Sequence, residues 1–114
     1  MKRMGHVIKL NADTKAEYLR LHRETWPDIL AIIARAGIRN YSIFLREPED
    51  LLFGYWEYHG TDYEGDMARL AAEPRMKDWW AITDAMQTKL ESVAADEHWA
   101  PMEPVFFTDQ TPDT

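Results

Sequence analysis

The chain has 114 residues, of which 46% are hydrophobic and 29% are charged, a composition typical of a globular domain. With 13 basic and 20 acidic residues its formal net charge is −7, which disfavours binding to nucleic acid or to an anionic membrane. The absence of cysteine excludes disulfides, thiolate nucleophiles and thiolate metal ligands. No apolar run has the length of a membrane span, and no signal-peptide core follows the first methionine. We therefore expect a single cytoplasmic domain over residues 1–114.

The first third of the chain predicts a strand followed by a helical region. Residues 6–10 alternate in polarity, as in a half-buried strand. Thr14 and Glu17 have the spacing of a capping box, so a helix is expected to begin there. Pro27 either kinks this helix or opens a second one at its first position, and Gly37 is expected to end the helical region.

The middle of the chain predicts a hairpin. Residues 38–45 are rich in β-branched and aromatic side chains, which favour a strand. The charged segment 46–50, with its central proline, is typical of a turn. Residues 51–58 have strand composition again and are expected to pair back.

The last third predicts two helical stretches and a final strand. Residues 63–72 are expected to be helical, Pro74 forces a break, and a second helix is expected over about 75–86. The apolar residues 105–107 predict a short last strand, and residues 108–114 a frayed polar tail.

This order of elements is the βαββαβ pattern of an α+β, ferredoxin-like domain, a four-stranded antiparallel sheet with helices on one face. The uncovered face would then carry several of the apolar residues Tyr41, Ile43, Phe53, Tyr55, Phe106 and Phe107. Such a face is too apolar to be left in water, so we expect a symmetric homodimer that covers it. A ligand pocket is expected between sheet and helices or at the dimer seam.

One face of the first helix carries candidate chemistry. Tyr18, His22 and Trp26 are four residues apart and therefore lie on the same side of the helix. An imidazole that titrates near pH 6.5, a phenol and a flat indole suit the binding of a sugar and the transfer of its protons. Spacing alone also fits a surface histidine on an amphipathic helix, and Trp26 before Pro27 favours simple packing.

Three more aromatic residues are candidates for contact with a ligand. Tyr41 lies in the middle of a predicted strand, where it either fills the sheet face or reaches a ligand hydroxyl. Trp79 and Trp80 are adjacent on a predicted helix and point about 100° apart, so one can pack in the core while the other faces a cavity. Stacking of an indole on the C–H face of a sugar and plain core packing both remain open.

Metal or cofactor chemistry is not indicated. The four histidines, His6, His22, His59 and His98, are scattered and form no ligand motif with one another or with a glutamate. The five glycines are isolated, so there is no phosphate-binding loop, and no nucleophile elbow is present. Acid–base chemistry without a cofactor, or simple binding, is left.

Several short segments, in this order and spacing, resemble the L-rhamnose mutarotase family: Tyr18-x-x-x-His22, Trp26-Pro27, residues 37–45, residues 50–53, Glu57, Trp79-Trp80 and residues 103–106. The resemblance implies a dimeric α/β barrel of ferredoxin-like type that interconverts the anomers of a free 6-deoxyhexose without metal or cofactor. It also implies that His22 is the proton donor and that Tyr18, Tyr41 and the tryptophan pair contact the monosaccharide. Glu103 matches an acidic position of the family, and a pocket or structural role is expected for it.

Departures from the family bear on the substrate. Phe44 stands where some members carry a tyrosine, and residues 54–56, residues 60–66 and the tail also differ. A hydroxyl gained or lost in a pocket changes discrimination strongly, so L-fucose is an alternative substrate to L-rhamnose. A cofactor-free monooxygenase and a non-catalytic sugar-binding module are the alternative functions, since the fold alone does not choose among them.

Overall fold

The computed structural model of the chain describes residues 1–109. The first half contains strand β1 (Lys2–Leu10), a 3-10 turn (Ala12–Thr14), helices α1 (Lys15–Arg23) and α2 (Pro27–Arg35), and strand β2 (Ile38–Arg46). The second half contains strand β3 (Leu51–Tyr58), helices α3 (Tyr63–Ala72) and α4 (Pro74–Asp84), and strands β4 (Gln87–Thr88) and β5 (Ala100–Met102). Within the described part of the chain, no helix has the length and apolar character needed to cross a membrane.

The strands form one antiparallel sheet in the order β2-β3-β1-β4, with β5 also paired to β1. β4 pairs with Lys9 and Leu10, whereas β5 pairs with residues 5–7 of the same strand. The two short strands therefore share the position of a single fourth strand. The predicted α+β, ferredoxin-like fold is confirmed, with its fourth strand split in two.

The strand predicted at residues 105–107 is wrong. These residues have no regular secondary structure and are exposed, Phe106 to 82%. β5 already pairs with the middle of β1, and Pro104 has no N–H group with which to extend that ladder. The guanidinium carbon of Arg3 instead lies 3.2 Å from the centroid of the Phe107 ring. Residues 110–114, most of the predicted tail, lie outside the described residues.

The helix boundaries follow the proline and glycine signals closely. Pro27 opens a separate helix at its first position, and Gly37 ends the helical region with a φ of 84°, which favours glycine. The predicted capping box is wrong, although α1 does begin directly after Thr14. The hydroxyl of Thr14 donates to the carbonyl three residues earlier, and Glu17 pairs with Arg20.

A bulge in β2 sets which side chains face the helices. Arg39 pairs with Glu57 and Ser42 pairs with Tyr55, so two residues of β2 oppose the single residue between them on β3. The first of the two, Asn40, has a φ of 53°. An extra residue reverses the alternation of a strand. Tyr41 and Ile43 therefore lie on the helix-facing side of the sheet, which we call the inner face, and their prediction on the opposite face is wrong.

The opposite side of the sheet, which we call the outer face, is apolar as predicted, but some of its side chains differ from those predicted. Phe44 is opposite Phe53 in the register, and Phe53 is opposite Val7 on the other neighbouring strand. Phe44 is 64% exposed. Phe53 and Tyr55, both predicted here, do lie on this face.

Two buried apolar clusters fill the space between the inner face and the helices. The first is centred on α2 and α4 and consists of Leu21, Ile29, Ile32, Ala36, Ile38, Leu70, Met76 and Trp79. The second lies under β1 and β3 and consists of Ile8, Leu10, Tyr18 and Leu52. Members of both clusters line one cleft.

Candidate active site

A cleft of about 750 Å³ lies between the inner face of the sheet and the helices. It is lined from all four helices, the three long strands, β4 and the segment that follows β4. The cleft brings together all five candidates predicted from sequence, Tyr18, His22, Tyr41, Trp79 and Trp80. A volume of this size is typical of sites for small molecules.

His22 is held on α1 as a neutral proton acceptor. Its Nδ1 atom lies 2.9 Å from the carbonyl oxygen of Tyr18, one helical turn earlier. A carbonyl can only accept, so Nδ1 carries the proton and donates, which leaves the lone pair on Nε2. Burial lowers the pKa of His22, and the hydrogen bond to Tyr18 opposes this only in part. The imidazole is therefore a base at neutral pH.

Tyr18 is buried beside this imidazole and keeps its phenolic proton. The ring centroids of Tyr18 and His22 are 4.2 Å apart, and the side chain of Tyr18 is only 2% exposed. Burial raises the pKa of the Tyr18 phenol well above its usual value, against an opposing hydrogen bond from Gln87. The phenol thus keeps its proton across the physiological range.

Aromatic rings form the walls around His22. The indole of Trp79 stands edge-on to the imidazole, with centroids 5.4 Å apart and planes at 67°. Trp80 is half-buried and lines the same cleft, as does Tyr41 from β2. Trp56 and His6, stacked with centroids 6.1 Å apart, add a wall on the sheet side that was not predicted.

Two other residues predicted from sequence lie outside the cleft. Trp26 packs edge-on against Trp79 at 5.0 Å and beneath the guanidinium of Arg75, in agreement with a packing role. Glu103 is exposed in the segment after β5 and is not among the residues that line the cleft.

Three polar residues of the cleft were missed from the sequence. Nε2 of His98 lies 2.8 Å from Oε1 of Gln87 and 3.4 Å from Oδ1 of Asp84. Burial raises the pKa of Asp84, with His98 and Lys89 opposing the shift. Gln87 follows a predicted helix without any motif, and the adjacent His98 and Trp99 are the sequence feature that could have indicated this segment.

The side chains of the cleft offer acid–base and stacking chemistry. A neutral imidazole can take and return a proton, a protonated phenol can donate a hydrogen bond, and the indoles offer apolar faces. Within residues 1–109, no group of three or more histidine, aspartate or glutamate side chains is close enough to hold a metal ion.

Comparison with known proteins identifies the family of the chain. A model of the L-rhamnose mutarotase family matches residues 3–108. The chain belongs to the L-rhamnose mutarotase family. A mutarotase interconverts the anomers of a sugar and is therefore an isomerase, so the predictions of family and enzyme class are confirmed.

Individual relatives agree with this assignment. An L-rhamnose mutarotase from Mesorhizobium japonicum is 41% identical over 83 residues, which cover 71% of this chain and 75% of that protein. One from Mannheimia succiniciproducens is 34% identical over 110 residues, which cover 96% of this chain and all of that protein. The crystal structure of an L-rhamnose mutarotase from Formosa agariphila matches with a TM-score of 0.74 and 25% identity, over 96% of this chain and all of that one.

Proposed function

We propose that this chain acts as a single-domain L-rhamnose mutarotase that interconverts the α and β anomers of the free sugar. The observation that carries the proposal is the neutral His22 beside a protonated phenol and an indole in one cleft. The family match over residues 3–108 and the names of the relatives support L-rhamnose over L-fucose.

His22 would perform the two proton transfers that the reaction requires. Nε2 takes the proton of the anomeric hydroxyl, the bond from C1 to the ring oxygen breaks, and the imidazolium returns the proton to the ring oxygen. Rotation about the C1–C2 bond of the open aldehyde and reversal of these steps close the ring as the other anomer. One acid–base centre suffices because the proton is taken and returned in each half of the reaction.

The remaining predicted residues would hold the sugar. Tyr18 keeps its proton and would donate a hydrogen bond to a sugar oxygen beside the imidazole. Tyr41 reaches the cleft from the bulged strand, and Trp79 and Trp80 supply apolar ring faces for the C–H groups of the pyranose. We propose these four residues as the substrate-binding set.

The decisive experiment compares His22→Asn with the wild-type chain by saturation-transfer NMR on L-rhamnose and, side by side, on L-fucose. We expect His22→Asn to lower the rate of anomer exchange by about 10²- to 10⁴-fold, the usual contribution of a general acid–base group. His59→Asn is the matched control, because His59 pairs with Glu57 outside the cleft. An unchanged rate in His22→Asn would contradict the role of this residue. Binding by the wild type without saturation transfer would indicate a non-catalytic module.

The pH profile of the wild type gives a second measurement on the same site. Because burial lowers the pKa of His22 below 6.5, the base form should persist as the pH falls through 6.5. We expect kcat/KM to be flat above pH 6.5 and to decline only below it, about tenfold per pH unit once the base titrates. A decline that begins above pH 6.5 would contradict the proposed neutral base.

We also propose that the chain forms a homodimer through the outer face of the sheet. Phe44, Phe53 and Val7 form a row across this face, and Phe44, Phe106 and Phe107 are exposed. Because monomeric proteins rarely expose large apolar patches, a row of this kind favours cover by a second copy of the chain. A cytoplasmic location and the lack of nucleic-acid and membrane partners stay predictions from composition.

A further inference from the structure

A chain of hydrogen bonds runs from the segment after β4 to the phenol of Tyr18. Nε2 of Gln87 lies 3.2 Å from the Tyr18 hydroxyl, and Oε1 of Gln87 lies 2.8 Å from Nε2 of His98. Gln87 is 8% exposed, so its amide has little access to water as an alternative partner. A buried amide with both ends bonded is held in one orientation.

The direction of each hydrogen bond follows from the atoms at the far end. Nε2 of His98 faces two acceptor oxygens, one of Gln87 and one of Asp84 at 3.4 Å, so it carries a proton. The amide oxygen of Gln87 therefore points to His98, and its NH₂ group points to Tyr18. Since that group only donates, the Tyr18 oxygen accepts, and its own proton is left for another acceptor.

We propose that Gln87 and His98 are positioning residues that make Tyr18 a fixed hydrogen-bond donor to the ring oxygen of the sugar. This inference rests on the proposed mutarotase function. His22 moves the proton from the anomeric hydroxyl to the ring oxygen, and the neighbouring phenol donates a hydrogen bond to the ring oxygen, where negative charge develops as the bond to C1 breaks and before the proton is returned.

The sheet holds Gln87 and His98 in place. We call the chain of hydrogen bonds from His98 through Gln87 to Tyr18 the relay. Gln87 pairs with Leu10 of β1. Trp99, next to His98, packs so closely on β3 that a Cβ added to Gly54 would lie 3.3 Å from its ring. Both positioning residues are thus fixed to strands that also form the inner wall of the cleft, as a preorganised donor requires.

A double-mutant cycle tests whether Gln87 acts through Tyr18. We expect Gln87→Met to lower kcat for L-rhamnose by roughly three- to tenfold, the worth of one net hydrogen bond, with a smaller change in KM. In a Tyr18→Phe background the same substitution should have no further effect, because the hydroxyl it positions is gone. Thr88→Val is the matched control, since Thr88 is the next residue of β4 and lies outside the cleft.

The variant Gln87→Glu distinguishes a role of Gln87 in positioning the Tyr18 hydroxyl from a role in supporting the fold. The carboxylate has the shape of the amide and keeps partners at both ends, but it accepts from Tyr18 and so reverses the direction of that bond. We expect the kcat of Gln87→Glu to fall at least as far as that of Gln87→Met. The unfolding midpoints of the two variants show whether each stays folded. His98→Phe, which keeps a flat ring without a donor, should give a smaller loss of the same kind.

The outcomes are distinct. A wild-type kcat for Gln87→Glu, or equal effects of Gln87→Met in the two backgrounds, would overturn the relay while leaving the mutarotase function intact. Absence of anomer exchange in the wild type would instead overturn the proposed function, and the relay with it.

Discussion

The inner and outer faces of the sheet are built from the same strands but carry different kinds of side chain. On β2, Tyr41 and Ile43 face the helices and line the cleft, whereas Phe44 between Ile43 and Leu45 is exposed on the other side. Neighbouring residues of one strand can therefore serve separate purposes, because successive side chains point to opposite faces. This separation agrees with the proposals that the inner face binds the substrate and that the outer face serves assembly.

The polar networks of the two faces differ in the same way. On the inner face Gln87 bonds to Tyr18 through neutral groups shielded from water. On the outer face the ionised Glu57 accepts hydrogen bonds from Tyr55 and His59. Neutral donors suit a cleft that must leave one hydroxyl free for a ligand, whereas a charged carboxylate is tolerated beside His59 and Asn40, which are exposed to solvent.

The largest effect is expected from a charge placed on the outer face. Phe44→Asp should raise the dissociation constant of the proposed dimer at least about tenfold, because an unpaired charge would have to be buried among aromatic rings. Sedimentation velocity over a range of concentrations measures this constant. Ile82→Asp is the control, since Ile82 is a partly exposed apolar residue on α4 away from the sheet. An unchanged association state in Phe44→Asp would contradict the assignment of the outer face to assembly.

Alanine substitutions at two glycines on opposite faces form a matched pair, and their expected effects on stability are of intermediate size. A Cβ on Gly54, on the inner face, would lie 3.3 Å from the packed ring of Trp99, whereas one on Gly5, on the outer face, would meet only the flexible end of Met102 at 3.4 Å. Gly54→Ala should lower the free energy of unfolding by about 1 kcal/mol or more through overpacking. Gly5→Ala should be neutral or stabilising by up to about 1 kcal/mol, because alanine loses less entropy in a strand.

Urea denaturation of both glycine variants at one protein concentration measures these differences. Equal destabilisation by the two substitutions would mean that the inner face is no more tightly packed than the outer one.

The smallest effect on stability is expected from Glu57 on the outer face. This carboxylate and its hydrogen-bond donors form the ionised cluster. Hydrogen bonds from His59, Tyr55 and Asn40, in that order of importance, lower the pKa of Glu57 to about 2. A carboxylate with a lowered pKa in the folded state stabilises the fold above its unfolded value of about 4.3 and loses that contribution as the pH falls toward 2. Glu57→Gln should therefore be destabilising at pH 7 and increasingly neutral below pH 4.

Unfolding of Glu57→Gln between pH 7 and pH 2 tests this dependence, with Glu91→Gln in an exposed loop as the control. A difference from wild type that does not change with pH would show that the ionised cluster is not its source.

The elements with strong local signals could be predicted from the sequence almost to the residue. The second hairpin strand, Leu51–Tyr58, and the helix Tyr63–Ala72 have the predicted bounds. Their limits are set by the turn before the strand, by the break at Gly60 and by Pro74, all of which act within a few residues. The five candidate residues also converge on one cleft, since α1 carries two of them one turn apart and α4 carries two adjacent ones.

The parts that were missed depend on contacts between distant segments. A single extra residue at Asn40 reverses the faces of β2, and no count of alternating residues along that strand can reveal it. The apolar residues 105–107 predict the fourth strand. The structure instead has β5 at the earlier residues Ala100–Met102, which include a proline. The link between Gln87 and His98 joins two residues without a shared motif.

The split fourth strand has a consequence for engineering. β4 and β5 are each fastened to β1 by their own pairs, so the intervening residues 89–99 form an excursion that returns to the same edge. Excursions anchored at both ends tolerate changes of length and sequence better than the elements that flank them. Exchange of residues 89–99 between relatives would replace His98 and Trp99 together. This segment is therefore the one to exchange in order to alter sugar preference without redesigning the sheet.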